Sequence, residues 1–183
     1  MTLASWLRSA ARPSADECSA RGKHAIVSRM ELETKTLPSM RFAALGHSGA
    51  YMLIGPTFHK LAEIAGPSGL FALPGAMMAG LYHDDSSKTP QDQLRSAAAI
   101  LIPQGAAIPA GLVEERVDGG RFACFTHVGS YQQLGNAWMR LKRELIPAGG
   151  HVLRDATSYE FYLNDPGQVP ESELKTEICV PIE

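Results

Sequence analysis

The chain has 183 residues, 45% of them hydrophobic and 20% charged, with a formal net charge of -2. That is enough for one sizeable core, or for two small modules sharing one. The slight acidic balance argues against the basic surface of a nucleic-acid binder, and no apolar run approaches the roughly 20 residues of a membrane-spanning helix. Neither nucleic acid nor membrane is therefore an expected partner. The three cysteines, Cys18, Cys124 and Cys179, show no CxxC and no His at metal spacing. They read as reduced, buried small hydrophobes of a cytoplasmic protein, with no metal and no cofactor.

In chain order, residues 1–28 come first as an extension rich in Ala, Ser and Arg that lacks strand periodicity. Its apolar stretch is too short for a secretory signal. A transit peptide is one reading; a loosely docked extension with one short helix around Trp6 and Leu7 is the favoured one. Met30 is an alternative start. Residues 29–183 read as a single domain.

That domain repeats itself. Sliding the chain by 80 residues superposes "RFAALGHSGAYMLIG" (from Arg41) on "RFACFTHVGSYQQLG" (from Arg121). Across 32–102 against 112–182 there are 18 identities in 71 ungapped positions, where this composition gives about five by chance. Repeat 1 covers about 31–103 and repeat 2 about 111–183.

Each copy opens with an extended segment of β composition, 40–46 and 120–126, closed by His-x-Gly. A helix follows, with apolar positions three and four apart: Ile54, Phe58, Leu61 and Ala65, then Leu134, Trp138, Leu141 and Leu145. Pro67-x-Gly69 and Pro147-x-Gly149 end the two helices. Two strands complete each copy, 78–83 and 96–102, then 157–163 and 175–182, joined by "HDDSSKTP" and "LNDPGQVP" turns. The fold class is α+β: tandem duplicated β-α-β-β modules with pseudo-twofold symmetry. An antiparallel or mixed sheet carries the helices on one face, around a central cleft.

The copies differ where chemistry is expected. Glu160 aligns with Gly80, inside strands otherwise alike in type: Leu81 with Phe161, Tyr82 with Tyr162, Asp85 with Asp165. Strand alternation places Tyr159, Phe161 and Leu163 on one face and Ser158, Glu160 and Tyr162 on the other. The apolar set is expected to cover the helices, leaving Glu160 and Tyr162 on the opposite face. A lone carboxylate facing a glycine would make an asymmetric small-molecule cleft from a symmetric scaffold. The alternative is a solvated acid on a polar strand face.

His-x-Gly-x-Tyr before a helix, the duplicated unit and the late "E-x-Y-L-N-D-P" strand together resemble the GyrI-like small-molecule-binding domain, over about residues 31–182. The resemblance implies the paired-module fold, and it places Glu160 at the base of an aromatic-lined cleft. It also implies three roles. One is binding of cationic or aromatic amphipathic compounds, as in the multidrug-binding effector domains of AraC-type and MerR-type regulators. Another is hydrolysis of strained, cyclopropane-bearing genotoxins, as in stand-alone members. The last is an interaction with DNA gyrase or a regulator. Thirty residues before the domain cannot hold a helix-turn-helix, so a stand-alone form without direct DNA binding is expected.

The candidate ligand-binding set is Glu160, Tyr162, Tyr82, Tyr51, Tyr131, Trp138 and Gly80. A carboxylate withdrawn from water lacks a partner that a cationic ligand would restore, and ring faces add roughly 0.5–2 kcal/mol each by cation–π contact. Trp138 and Tyr131 share the helix stripe with Leu134 and Leu141, so core packing is the competing reading for both. If the chain is an enzyme, Glu160 is the catalytic candidate, activating a water or donating a proton to an opening ring. His47 and His127, symmetry-related before a glycine, read as a repeated structural hydrogen bond. His83-Asp84-Asp85 reads as a turn, not a metal site.

Overall fold

The computed structural model describes residues 32–183, so the expected 1–28 extension lies outside the described residues. Eight strands form one sheet: β1 (Glu33–Leu37), β2 (Met40–Ser48), β3 (Met77–Tyr82), β4 (Arg95–Ile102), β5 (Val113–Val117), β6 (Gly120–Val128), β7 (Ser158–Tyr162) and β8 (Lys175–Pro181). Helix α1 is Gly55–Ala65. Helix α2 begins as Leu134–Arg140, widens through a π-helical turn at Leu141–Leu145 and ends at Ile146–Ala148. The strand order is β1-β6-β8-β7-β3-β4-β2-β5. Every pairing is antiparallel, which resolves the antiparallel-or-mixed expectation. Exchanging β1–β4 with β5–β8 reverses this order without changing it, and β3 and β7 meet at its centre.

Two strands go beyond the β-α-β-β reading. β1 ("ETKTL") and β5 ("VEERV") are the sheet edges, and each precedes the first strand expected for its half. Their charged residues suppress the apolar alternation by which a strand is read, and charge on an edge strand is a common guard against pairing with other chains.

Both helices pack on the same face. Leu61 and Ala65 of α1, and Leu134, Ala137, Leu141 and Ile146 of the α2 segment, share a core with Ala98, Ile100, Phe125, Tyr162 and Ile178 of the sheet. The opposite face buries a second core of Phe42, Leu81, Phe122, Tyr159 and Phe161, to which no helix among the described residues contributes. Curling of the sheet encloses that core. Phe42 on β2 and Phe161 on β7 are three strand spacings apart, roughly 14 Å in a flat sheet. Their ring centroids are nevertheless 6.2 Å apart. Likewise His83, just after β3, reaches Glu115 on β5 at 3.1 Å across two intervening strands.

Cys124 and Cys179 form a disulfide, correcting the expectation of reduced thiols for this pair. They stand directly opposite in the β6–β8 register, with Cα atoms 4.3 Å apart. A separation of 55 residues in sequence had hidden that juxtaposition. Among the described residues no helix is long and apolar enough to cross a membrane.

Candidate functional site

The site sits on the central strand pair, β3 and β7, where side chains from both helices reach the sheet. Alternation along β7 holds, but the expected faces are inverted. Tyr159 and Phe161 belong to the second core, on the face away from α1 and α2, while Glu160 and Tyr162 look toward those helices. Curling explains this: the concave side needs large rings to fill it, so the most apolar positions of β7 turn away from the helices.

Glu160 is 2% exposed. Its Oε1 accepts hydrogen bonds from the hydroxyls of Tyr82 and Tyr162, both at 2.6 Å, and its Oε2 accepts one from Trp138 Nε1 at 3.0 Å. It has no ion pair among the described residues. Burial first, and then the nearby Glu160 carboxylate, push the Tyr82 and Tyr162 hydroxyls well above the ordinary tyrosine range. Both therefore stay protonated and remain donors.

Gly80 is the residue directly across β3–β7 from Glu160. A Cβ there would lie 2.9 Å from the Tyr82 hydroxyl and 3.3 Å from both Cγ and Oε1 of Glu160. The glycine leaves the space in which the carboxylate and the Tyr82 hydroxyl meet.

Aromatic rings surround this floor in pairs that repeat at an offset of 80. Tyr51 stands edge-on to Tyr82 at 5.0 Å, and Tyr131 to Tyr162 at 5.2 Å. Phe58 of α1 meets Tyr162 at 5.4 Å, and Trp138 of α2 meets Tyr82 at 5.3 Å. Each helix thus reaches a tyrosine of the other half. Glu160 and Tyr162 are buried, while Tyr51, Phe58, Tyr82, Tyr131 and Trp138 are half-buried and form the wall. A buried acid below half-exposed rings can hold a cation and stack its aromatic body.

The structure brings all seven sequence candidates, Glu160, Tyr162, Tyr82, Tyr51, Tyr131, Trp138 and Gly80, into this one cluster. Sequence reasoning missed Phe58, although its offset-80 alignment with Trp138 was the available signal. It also missed Lys142, whose ammonium lies 5.4 Å from the centre of the Trp138 ring.

The two His-x-Gly histidines do repeat one bond: His47 Nε2 donates to Ala50 O and His127 Nε2 to Ser130 O, both at 3.3 Å. In the turn after β3, Asp84 takes Arg95 at 2.7 Å, Asp85 takes Ser87, and His83 takes Glu115. No group of three or more metal-ligating side chains occurs among the described residues.

Residues 30–183 match the GyrI-like small molecule binding domain, and the chain belongs to that family. Among curated proteins it is 38% identical over 96 residues to DNA gyrase inhibitor 2 of Dickeya dadantii (strain 3937), a match spanning 51% of this chain and 60% of that protein. It is 26% identical over 149 residues to the probable transcriptional regulator YgiV of Escherichia coli (strain K12), over 79% of this chain and 91% of that one. Among solved structures, the EcmrR C-terminal domain superposes with a TM-score of 0.65 at 18% identity, over 84% of this chain and 98% of that chain. SAV2435 bound to tetraphenylphosphonium gives 0.59 at 16%, over 84% and 94%. At these identities the structural likeness concerns the fold.

Proposed function

We propose that this chain binds amphipathic small molecules, cationic or aromatic, in the cleft above Glu160, as a sensor or sequestering protein for drugs and toxins. One observation carries the reading: a buried carboxylate with three hydrogen bonds, no counter-cation among the described residues and a half-exposed aromatic wall. Removing such a group from water is costly, and a ligand cation is the missing partner. The tetraphenylphosphonium carried by the SAV2435 structure is a ligand of that chemistry on the same fold. The two halves are proposed to be copies of one module, with Glu160 replacing glycine in one of them to make the cleft polar on one side.

Titration calorimetry with tetraphenylphosphonium and its neutral three-ring analogue triphenylphosphine oxide tests this. Glu160→Gln should weaken the cation by roughly 30-fold or more, the lower bound of about 2 kcal/mol for removing one partner of a buried charge pair. It should leave the neutral compound nearly unchanged. Equal effects on both compounds would contradict a charge-reading site. A gyrase-directed role is the second reading, favoured by the 38% identity to a protein named for gyrase inhibition. Inhibition of gyrase supercoiling that survives Glu160→Gln would place that activity outside the cleft.

A further inference from the structure

Lys142 occupies a position that points inward. Its offset-80 counterpart on α1 is Ala62, which is 2% exposed against the sheet. On the α2 side that place is taken by a long cationic side chain inside the π-helical turn, Leu141–Leu145, and π turns of this kind often accompany functional sites. The ammonium lies over the Trp138 ring, the same indole whose Nε1 donates to Glu160. It makes no hydrogen bond or ion pair among the described residues. Asp85, the acid whose charge acts on it, bonds instead to the Ser87 hydroxyl and backbone N–H and pairs with Lys88 at 3.5 Å. Burial lowers the Lys142 pKa, as it must for an ammonium short of partners. Lys142 is thus a half-buried charge of opposite sign to Glu160, on the same indole, with no hydrogen-bond acceptor among the described residues. A lysine stem can lie along apolar surface while its head keeps three donors to offer an acceptor.

We propose that Lys142 is a second recognition point of this cleft, and that the preferred ligands are zwitterionic aromatics, with a cationic end over Glu160 and an anionic group at Lys142. The inference rests on the cleft being a ligand site, and it narrows the ligand class from cations to molecules carrying both charges. None of the symmetric rings can supply that selectivity. It comes from two positions, 142 and 160, at which the second half departs from the first.

The test uses the full chain and two dyes sharing one chromophore: rhodamine B, a zwitterion with a free carboxylate at neutral pH, and rhodamine 3B, its cationic ethyl ester. Binding is followed by fluorescence anisotropy, with melting curves for every variant. Wild type should bind rhodamine B at least as tightly as the ester. Lys142→Met, which keeps the apolar stem, should weaken rhodamine B about tenfold, the loss of one charge-assisted bond, and leave the ester unchanged or tighter. Lys142→Arg should restore the preference, and Lys142→Gln replaces the methionine variant if that one does not fold. Lys142→Met shifting both dyes by one factor, or neither, overturns the proposal even where Glu160→Gln still weakens both. If wild type binds neither dye, or Glu160→Gln changes neither, the cleft reading itself fails and takes this inference with it.

Discussion

Glu160 lies opposite a glycine because no other residue leaves room for what the acid does. A methyl group on Gly80 would intrude on the Tyr82 hydroxyl at 2.9 Å and crowd the carboxylate at 3.3 Å. Gly80→Ala is therefore expected to break the Tyr82–Glu160 bond and cost about 1–3 kcal/mol, read as a lowered melting temperature, together with weaker tetraphenylphosphonium binding. An alanine variant with wild-type melting and binding would show that the two side chains shift freely. The Gly80/Glu160 pair was legible in the sequence because the repeat supplied its own comparison. Its orientation was not. A period of two says which residues share a face, and it is silent on which face the helices cover. Tyr159 and Phe161 looked like the helix-facing set but fill the concave side of the sheet.

At the scale of elements, the helix stripes survived well. Leu61 and Leu141 are both fully buried beneath their helices, and Leu141→Ala should destabilise by about 2–5 kcal/mol in a denaturant melt. A loss below 1 kcal/mol would mean that the π-helical turn relaxes to fill the gap. That turn left no mark in the sequence, since the two helices align without an insertion. The edge strands were hidden for a different reason: in "ETKTL" and "VEERV" charge overrides alternation. The disulfide joins β6 to β8 and closes a loop of 55 residues, for which chain-entropy arguments give up to about 4 kcal/mol. Melting in the presence of reductant, or of a Cys124→Ser/Cys179→Ser variant, should fall several degrees. No change would mean that the pair adds nothing beyond packing.

At the scale of the whole molecule, the fold withdraws every tyrosine at least partly from water. All five tyrosines, Tyr51, Tyr82, Tyr131, Tyr159 and Tyr162, have hydroxyls raised above their ordinary range, with burial as the main cause in each. The folded chain thus holds these protons at a pH where the unfolded chain has released them. Stability from this source is intact below about pH 10 and falls as the pH rises beyond it. An ultraviolet titration should show little phenolate in that ordinary range, then one steep rise coinciding with loss of folded structure. Gradual, independent ionisation would contradict the burial. The most direct test of the central claim uses Trp138 as its own reporter. The chain has two tryptophans, and Trp6→Phe leaves only the indole that donates to Glu160. Tetraphenylphosphonium should quench Trp138 fluorescence saturably in that variant, and adding Glu160→Gln should move the midpoint up roughly 30-fold. Identical titration curves with and without the carboxylate would contradict the account.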